Sequence, residues 1–167
     1  MMTFRKLFLL GLIIALGLVG SAYFLEYYFN LDPCPLCHLQ RYVLFAIIIF
    51  FFLGVMSTWG YTVKLFLSGS NIFFSLLGIL LALRHVWLQY SATEEGITTG
   101  CTAGLERLLQ FQPLMTVLKE VLMNSESCGK IDFTILKLPL SVWSLLSFML
   151  IIAYSCFIFR SITKRRI

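Results

Sequence analysis

Charge is scarce in this chain. Lys, Arg, Asp and Glu together make up 13% of its 167 residues, while hydrophobic residues make up 59%. An ordinary soluble domain carries about 25% charge, so a water-soluble fold built from this composition has too little polar surface to cover itself. Strands of about 10 residues with alternating polarity are also missing, which excludes a transmembrane β-barrel. No dinucleotide fingerprint, haem-attachment motif or iron–sulfur ligand set occurs, so the chain carries no cofactor signature of its own. The length leaves no room for a second domain of ordinary size, and residues 1–167 read as a single membrane domain.

What the chain has instead is long apolar runs. Four stretches reach the roughly 20 residues that a helix needs to cross a bilayer. They cover 7–29, interrupted only by Glu26; 42–63 and 65–83, both uncharged and separated only by Lys64; and 138–159, also uncharged. The third extends toward Tyr90, and a turn between the middle two falls within 57–70. The expected helices are therefore about 7–29, 42–59, 68–88 and 140–159. Arg5 and Lys6 ahead of an apolar run ending in Gly20, Ser21 and Ala22 have the outline of a cleavable signal peptide. The run continues through Phe29, beyond a signal core, so it reads as a retained first helix.

The positive charges set the orientation. Arg5, Lys6, Lys64, Arg160, Lys164, Arg165 and Arg166 flank the apolar stretches on one side, with no acidic residue among them, whereas all eight acidic residues lie on or near the other side. Both termini are expected on the cytoplasmic face. Two loops then face outward, about 30–41 and about 89–138. This asymmetry accounts for the net charge of +5, and no nucleic-acid partner is expected.

Topology sorts the five cysteines. Cys34 and Cys37 form a Cys-Pro-Leu-Cys motif in the first outer loop, Cys101 and Cys128 lie in the second, and Cys156 sits near the inner end of the last helix. Cys156 reads as packing. The outer four admit three readings. Structural disulfides are common on the oxidising side of a membrane, but a bond spanning two residues closes a small loop and constrains the unfolded chain little. A four-cysteine metal site with His38 nearby, as in a membrane metal-handling protein, needs two short knuckles. Here the second pair is split by 26 residues, so no metal ligands are expected. A dithiol relay needs two pairs able to exchange through a mixed disulfide, one of them on a long loop. Arg41 lies four residues after Cys37, so a helix beginning near Leu36 puts them on one face. The guanidinium and the helix N-terminus then both favour the Cys37 thiolate.

Ionisable residues at membrane depth are functional candidates by default, and Arg84 and His85 stand in an apolar stretch followed by Trp87, Gln89 and Tyr90. An aromatic and cationic interface belt is the alternative. Glu26 is a candidate partner for Arg84 or Arg41. In the long loop, Leu114, Val117, Leu118, Val121 and Leu122 repeat at helical spacing after Pro113, which predicts a short amphipathic helix on the bilayer surface or on the bundle.

These residues together resemble a known family. Pro33-Cys34-Pro35-Leu36-Cys37 with Leu39-Gln40-Arg41, then Arg84-His85-Val86-Trp87-Leu88-Gln89, the pair Cys101 and Cys128, and Leu138-Pro139 with Trp143-Ser144 look like the disulfide bond formation protein B family, DsbB. The resemblance implies an all-α membrane protein of the bacterial inner membrane. Its four-helix transmembrane bundle would carry a short amphipathic helix in the second periplasmic loop. It implies a thiol oxidase that reoxidises a DsbA-like periplasmic thioredoxin-fold protein at the expense of ubiquinone or menaquinone. By position, Cys101 forms the mixed disulfide with the partner, Cys128 resolves it or exchanges with Cys34, and Cys37 contacts the quinone with Arg41 in support. Arg84 and His85 flank the quinone. A paralogue with a dedicated partner has the same motifs. Two departures stand out: His38 takes the place of an aliphatic residue after Cys37, and no proline-containing lead-in precedes Cys101.

Overall fold

The computed structural model describes residues 4–29, 34–56, 60–95, 134–135 and 138–164. Among these, four helices are long and apolar enough to cross a membrane: α1 (Phe4–Phe29), α2 (Pro35–Met56), α3 (Tyr61–Glu95) and α4 (Leu140–Lys164). The protein is a multi-pass membrane protein built as a four-helix bundle. A two-rung antiparallel ladder, β1 (Thr134–Ile135) with β2 (Leu138–Pro139), leads into α4. The amphipathic segment at Pro113–Leu122, Cys101 and Cys128 lie outside the described residues.

The helices pack in chain order. The α3–α4 seam is the most extensive, followed by α2–α3 and α1–α2, and α1 closes on α4 with the thinnest contact. In lipid the hydrophobic effect does not drive helices together, so close packing and interhelical hydrogen bonds do that work. On α1, Leu7, Phe8, Gly11, Ala15 and Val19 form the buried face at helical spacing, while Leu9, Leu10, Ile13 and Leu16 face outward. The α1–α2 contact is reciprocal. Phe8 fills the space beside Gly54, and Phe51 fills the space beside Gly11, leaving no room for a Cβ at either glycine. The two rings meet edge-on with centroids 6.3 Å apart. Phe148 of α4 occupies the same kind of notch at Gly78 of α3.

Two hydrogen bonds tie the seams in this half of the bundle. Tyr154 Oη donates to the Leu7 carbonyl at 2.8 Å, joining α4 to α1, and Ser68 Oγ donates to the Ser155 carbonyl at 3.2 Å, joining α3 to α4. Interhelical bonds of this kind contribute about 0.6 kcal/mol each on average.

The helices run further than the hydropathy bounds. α3 starts at Tyr61 rather than near 68, and Ser68, within the expected turn, is an inward-facing helical residue. Lys64 sits within its first turn and places its ammonium 5.8 Å from the Phe4 ring centroid. α4 continues to Lys164, where a basic residue in the last turn suits the helix dipole. α2 begins at Pro35 rather than near 42, which places Cys37 inside a helix.

Candidate active site

The start of α2 shapes the site. The Cys34 carbonyl accepts from the His38 N–H at 3.2 Å, which makes Cys34 the N-cap residue. Pro35 follows at the first helical position, where a missing N–H is no loss and the fixed φ suits the helix. The Cys34 sulfur then takes the place that a serine or aspartate oxygen takes in an ordinary cap, accepting from the Cys37 N–H at 3.4 Å. The two sulfurs lie 3.1 Å apart and are not disulfide-bonded, roughly an ångström beyond the bonding distance of about 2.05 Å. The cap donor and the positive end of the α2 dipole both face a sulfur that carries negative charge whenever it attacks or leaves.

Between the cysteines, Leu36 is fully buried. It packs with Cys34, Leu39, Leu81 and Leu88, so the motif itself anchors α2 to α3 at the level of His85. His85 is buried at 4% exposure, with Nε2 3.6 Å from the Cys34 sulfur and 3.4 Å from Gln89 Nε2. Gln89 lies one helical turn beyond His85, and its Oε1 accepts from Ser141 Oγ of α4. Ser144 Oγ in turn donates to the Ser141 carbonyl at 2.7 Å. Because Gln89 Oε1 is taken by the serine hydroxyl, its amide nitrogen is the atom that meets His85. In the neutral Nδ1–H tautomer, Nε2 accepts from that amide N–H. The same Nε2 is the ring nitrogen that faces the Cys34 sulfur.

Arg41 lies one turn beyond Cys37 on α2. Its guanidinium pairs with Glu26 of α1 at 2.5 Å and stands 4.6 Å from the Tyr23 ring centroid. Both side chains are mostly buried, at 11% and 26% exposure. The pairing is one of charge, without an aligned hydrogen bond at Glu26 Oε2. Of the two partners that sequence offers Glu26, Arg41 is the one it meets. Arg84 is half-buried on α3 beside His85, a third of a turn around the helix. His38 is half-buried in the first turn of α2, and Cys156 is a half-buried free thiol in the opposite half of α4.

The structure therefore brings together Cys34, Cys37 and His85, and sets Arg41 one turn away against α1. Sequence reasoning placed no weight on Ser141, and Gln89 stood only as a member of a motif. The signal for Gln89 was its i+4 spacing from His85, which puts the two on one helix face. Nothing local points to Ser141, since its role arises only where α4 meets α3.

Fold and site define a multi-pass membrane protein that holds a Cys-x-x-Cys dithiol at one end of its helix bundle, backed by a buried histidine. A family model described as Disulfide bond formation protein DsbB matches residues 4–158. Disulfide bond formation protein B of Acinetobacter baylyi is 38% identical over 151 residues, covering 87% of this chain and 85% of the relative. That of Chromohalobacter salexigens is 34% identical over 166 residues, covering 99% and 95%. Disulfide bond formation protein B 1 of Pseudomonas aeruginosa is 32% identical over 158 residues, covering 90% and 91%. The chain belongs to the DsbB family of disulfide bond formation proteins, and thereby to the disulfide-forming oxidoreductases.

Proposed function

We propose that the protein is a quinone-dependent protein-thiol oxidase of the bacterial inner membrane, which reoxidises a DsbA-like periplasmic thioredoxin-fold partner and delivers the electrons to ubiquinone or menaquinone. In this reading both termini are cytoplasmic, and Cys34, Cys37, Cys101 and Cys128 act on the periplasmic side. The observation that carries it is the Cys34 sulfur held 3.1 Å from its partner sulfur and 3.6 Å from His85 Nε2. A structural staple has no use for a buried basic nitrogen at its sulfur. A dithiol that must shed protons does.

The surroundings suit a lipid-soluble oxidant. Leu36, Leu39, Leu81 and Leu88 make an apolar wall beside the thiols, and His85 and Gln89 are buried polar side chains against it. Cys37, Arg41, Arg84 and His85 are the residues assigned to hold the quinone, which when bound supplies a two-electron oxidant. Arg41 enters this role already neutralised by Glu26, so it orients a polar group without leaving a lone cation at membrane depth.

The exchanges balance as follows. A partner thiolate attacks Cys101 of the Cys101–Cys128 disulfide, releasing Cys128. The partner's second thiolate then displaces Cys101, so the partner leaves oxidised and the loop pair is a dithiol. Cys128 next attacks Cys34 of the Cys34–Cys37 disulfide, with Cys37 as leaving group, and Cys101 closes back on Cys128 to free Cys34. Closing the Cys34–Cys37 bond again removes two electrons and two protons from the pair. His85 Nε2 receives the Cys34 proton, Cys37 is the sulfur through which the electrons leave, and both protons would pass on with the two electrons to the quinone. Each ~30 mV between successive couples is worth about 1.4 kcal/mol, so a favourable final oxidant draws an uphill exchange forward.

The test is quinone reduction by purified protein supplied with a reduced DsbA-like partner. Wild type is expected to turn over and both Cys34→Ser and Cys101→Ser to fail. Wild type that leaves quinone untouched with every thiol donor overturns the reading.

A further inference from the structure

The spacing of the four outer cysteines argues against a metal knuckle, but the fold assembles a different ligand set. Cys34 Sγ, Cys37 Sγ and His85 Nε2 all lie within 4.8 Å of one another, two from the start of α2 and one from the buried face of α3. The 3.6 Å between the Cys34 sulfur and Nε2 matches the edge of a tetrahedron with Zn–S of about 2.3 Å and Zn–N of about 2.0 Å. The sulfurs, at 3.1 Å, need to part to the roughly 3.8 Å that the same geometry sets between two zinc-bound thiolates. Cys34 precedes the helix and Cys37 lies in its first turn, so a small side-chain rotation separates them without moving α2.

Three further observations favour a cation here. Neutral imidazole ligates metal through an unprotonated ring nitrogen, and Nε2 is the His85 nitrogen that faces the Cys34 sulfur. The Arg41 cation one turn beyond Cys37 is paired with Glu26 and held over Tyr23, which offsets one positive charge that would oppose a dication. Three ligands on a half-buried dithiol leave a fourth position open, the arrangement of an exchangeable rather than a structural site.

We propose that the dithiol form of the protein binds a thiophilic divalent cation, Zn2+ or Cd2+, through Cys34, Cys37 and His85. Binding displaces one proton from each thiol and none from the neutral imidazole, and the metal keeps its oxidation state. The disulfide form has lost both sulfur ligands and does not bind. The bound cation holds the pair as metal thiolates and so arrests its reoxidation. The binding itself is independent of the proposed function; only the arrest of turnover rests on that reading.

The test uses reduced full-length protein in detergent with Cys101→Ser, Cys128→Ser and Cys156→Ser, so that Cys34 and Cys37 are the only thiols. Titration with Co2+ under anaerobic conditions reads the ligands directly, with no partner or quinone present. One equivalent is expected to give sulfur-to-cobalt charge transfer and the intense visible bands of a tetrahedral ion. Zn2+ is expected to displace it, and prior oxidation of the pair to abolish it. Loss of even an outer-shell partner lowers metal affinity by about 10–100-fold, so His85→Ala is expected to weaken binding at least tenfold. His85→Cys is expected to restore affinity and raise the charge-transfer intensity through a third thiolate, which separates loss of a ligand from loss of the fold. Absence of the thiolate bands, or an affinity indifferent to both substitutions at 85, overturns the proposal.

Discussion

At the sulfur end of the bundle, buried polar groups form a continuous chain. Cys34 meets His85, His85 meets Gln89, and Gln89 meets Ser141, linking α2 to α3 to α4. The opposite half also buries polar residues, with Ser68, Asn71, Ser75 and Ser155 at 1% exposure or less. There the side chains bond only to backbone. Ser68 reaches the Ser155 carbonyl and Ser75 the Asn71 carbonyl, while the Asn71 amide and the Ser155 hydroxyl have no hydrogen-bond partner among the described residues. Burial of polar groups is thus common to both halves. What distinguishes the site is that its chain of hydrogen-bonding groups ends on a nucleophilic atom, and what holds the other half together is glycine notches filled by phenylalanine.

That difference can be broken from either side. The largest effect is expected from His85→Ala. If Nε2 receives the Cys34 proton, quinone turnover falls about 100-fold, within the range for a lost general base, while the helical circular dichroism is retained. Unchanged turnover would mean that the polar chain is a packing device like its counterpart. Next comes Gly78→Leu, which forces a side chain into the space of Phe148. Overpacking of this kind costs about 1–3 kcal/mol, so a lower melting temperature in detergent is expected, with the remaining folded fraction fully active. A stable variant with lost activity would couple the two halves. The smallest effect is expected from Asn71→Leu. Removing a buried amide without partners relieves a penalty on the order of 1 kcal/mol, so thermal stability is expected to rise with activity unaltered. A fall would show that Asn71 is bonded in the working protein.

Four membrane helices follow from uninterrupted apolar runs, because the bilayer demands length and apolarity and little else. The start of α3 was harder to read. Ser68 falls within the expected turn, yet a serine facing a neighbouring helix is compatible with mid-helix burial. The start of α2 had a local signal, since a proline after a capping residue marks the first helical position, and Cys34-Pro35 has that form with sulfur as the capping atom. Arg41 was correctly set on the Cys37 face, but its charge goes to Glu26 across the α1–α2 contact. The approach of His85 to Cys34 spans 51 positions, and no periodicity contains it. Only the family resemblance linked the two stretches. The same resemblance supplied the roles of Cys101 and Cys128.

In the proposed function, Cys34 and Cys37 form a pair that cycles between dithiol and disulfide by giving electrons to a quinone. Its most direct test is a single turnover of the inner pair alone. Reduced protein carrying Cys101→Ser and Cys128→Ser is mixed anaerobically with quinone, quenched with an alkylating reagent at intervals, and weighed by mass spectrometry. The Cys34 and Cys37 thiols are expected to disappear together, with loss of two hydrogens and no added alkyl group, while Cys156 stays reactive. Both thiols remaining alkylatable at every time point, in protein that retains its helical fold, would contradict it.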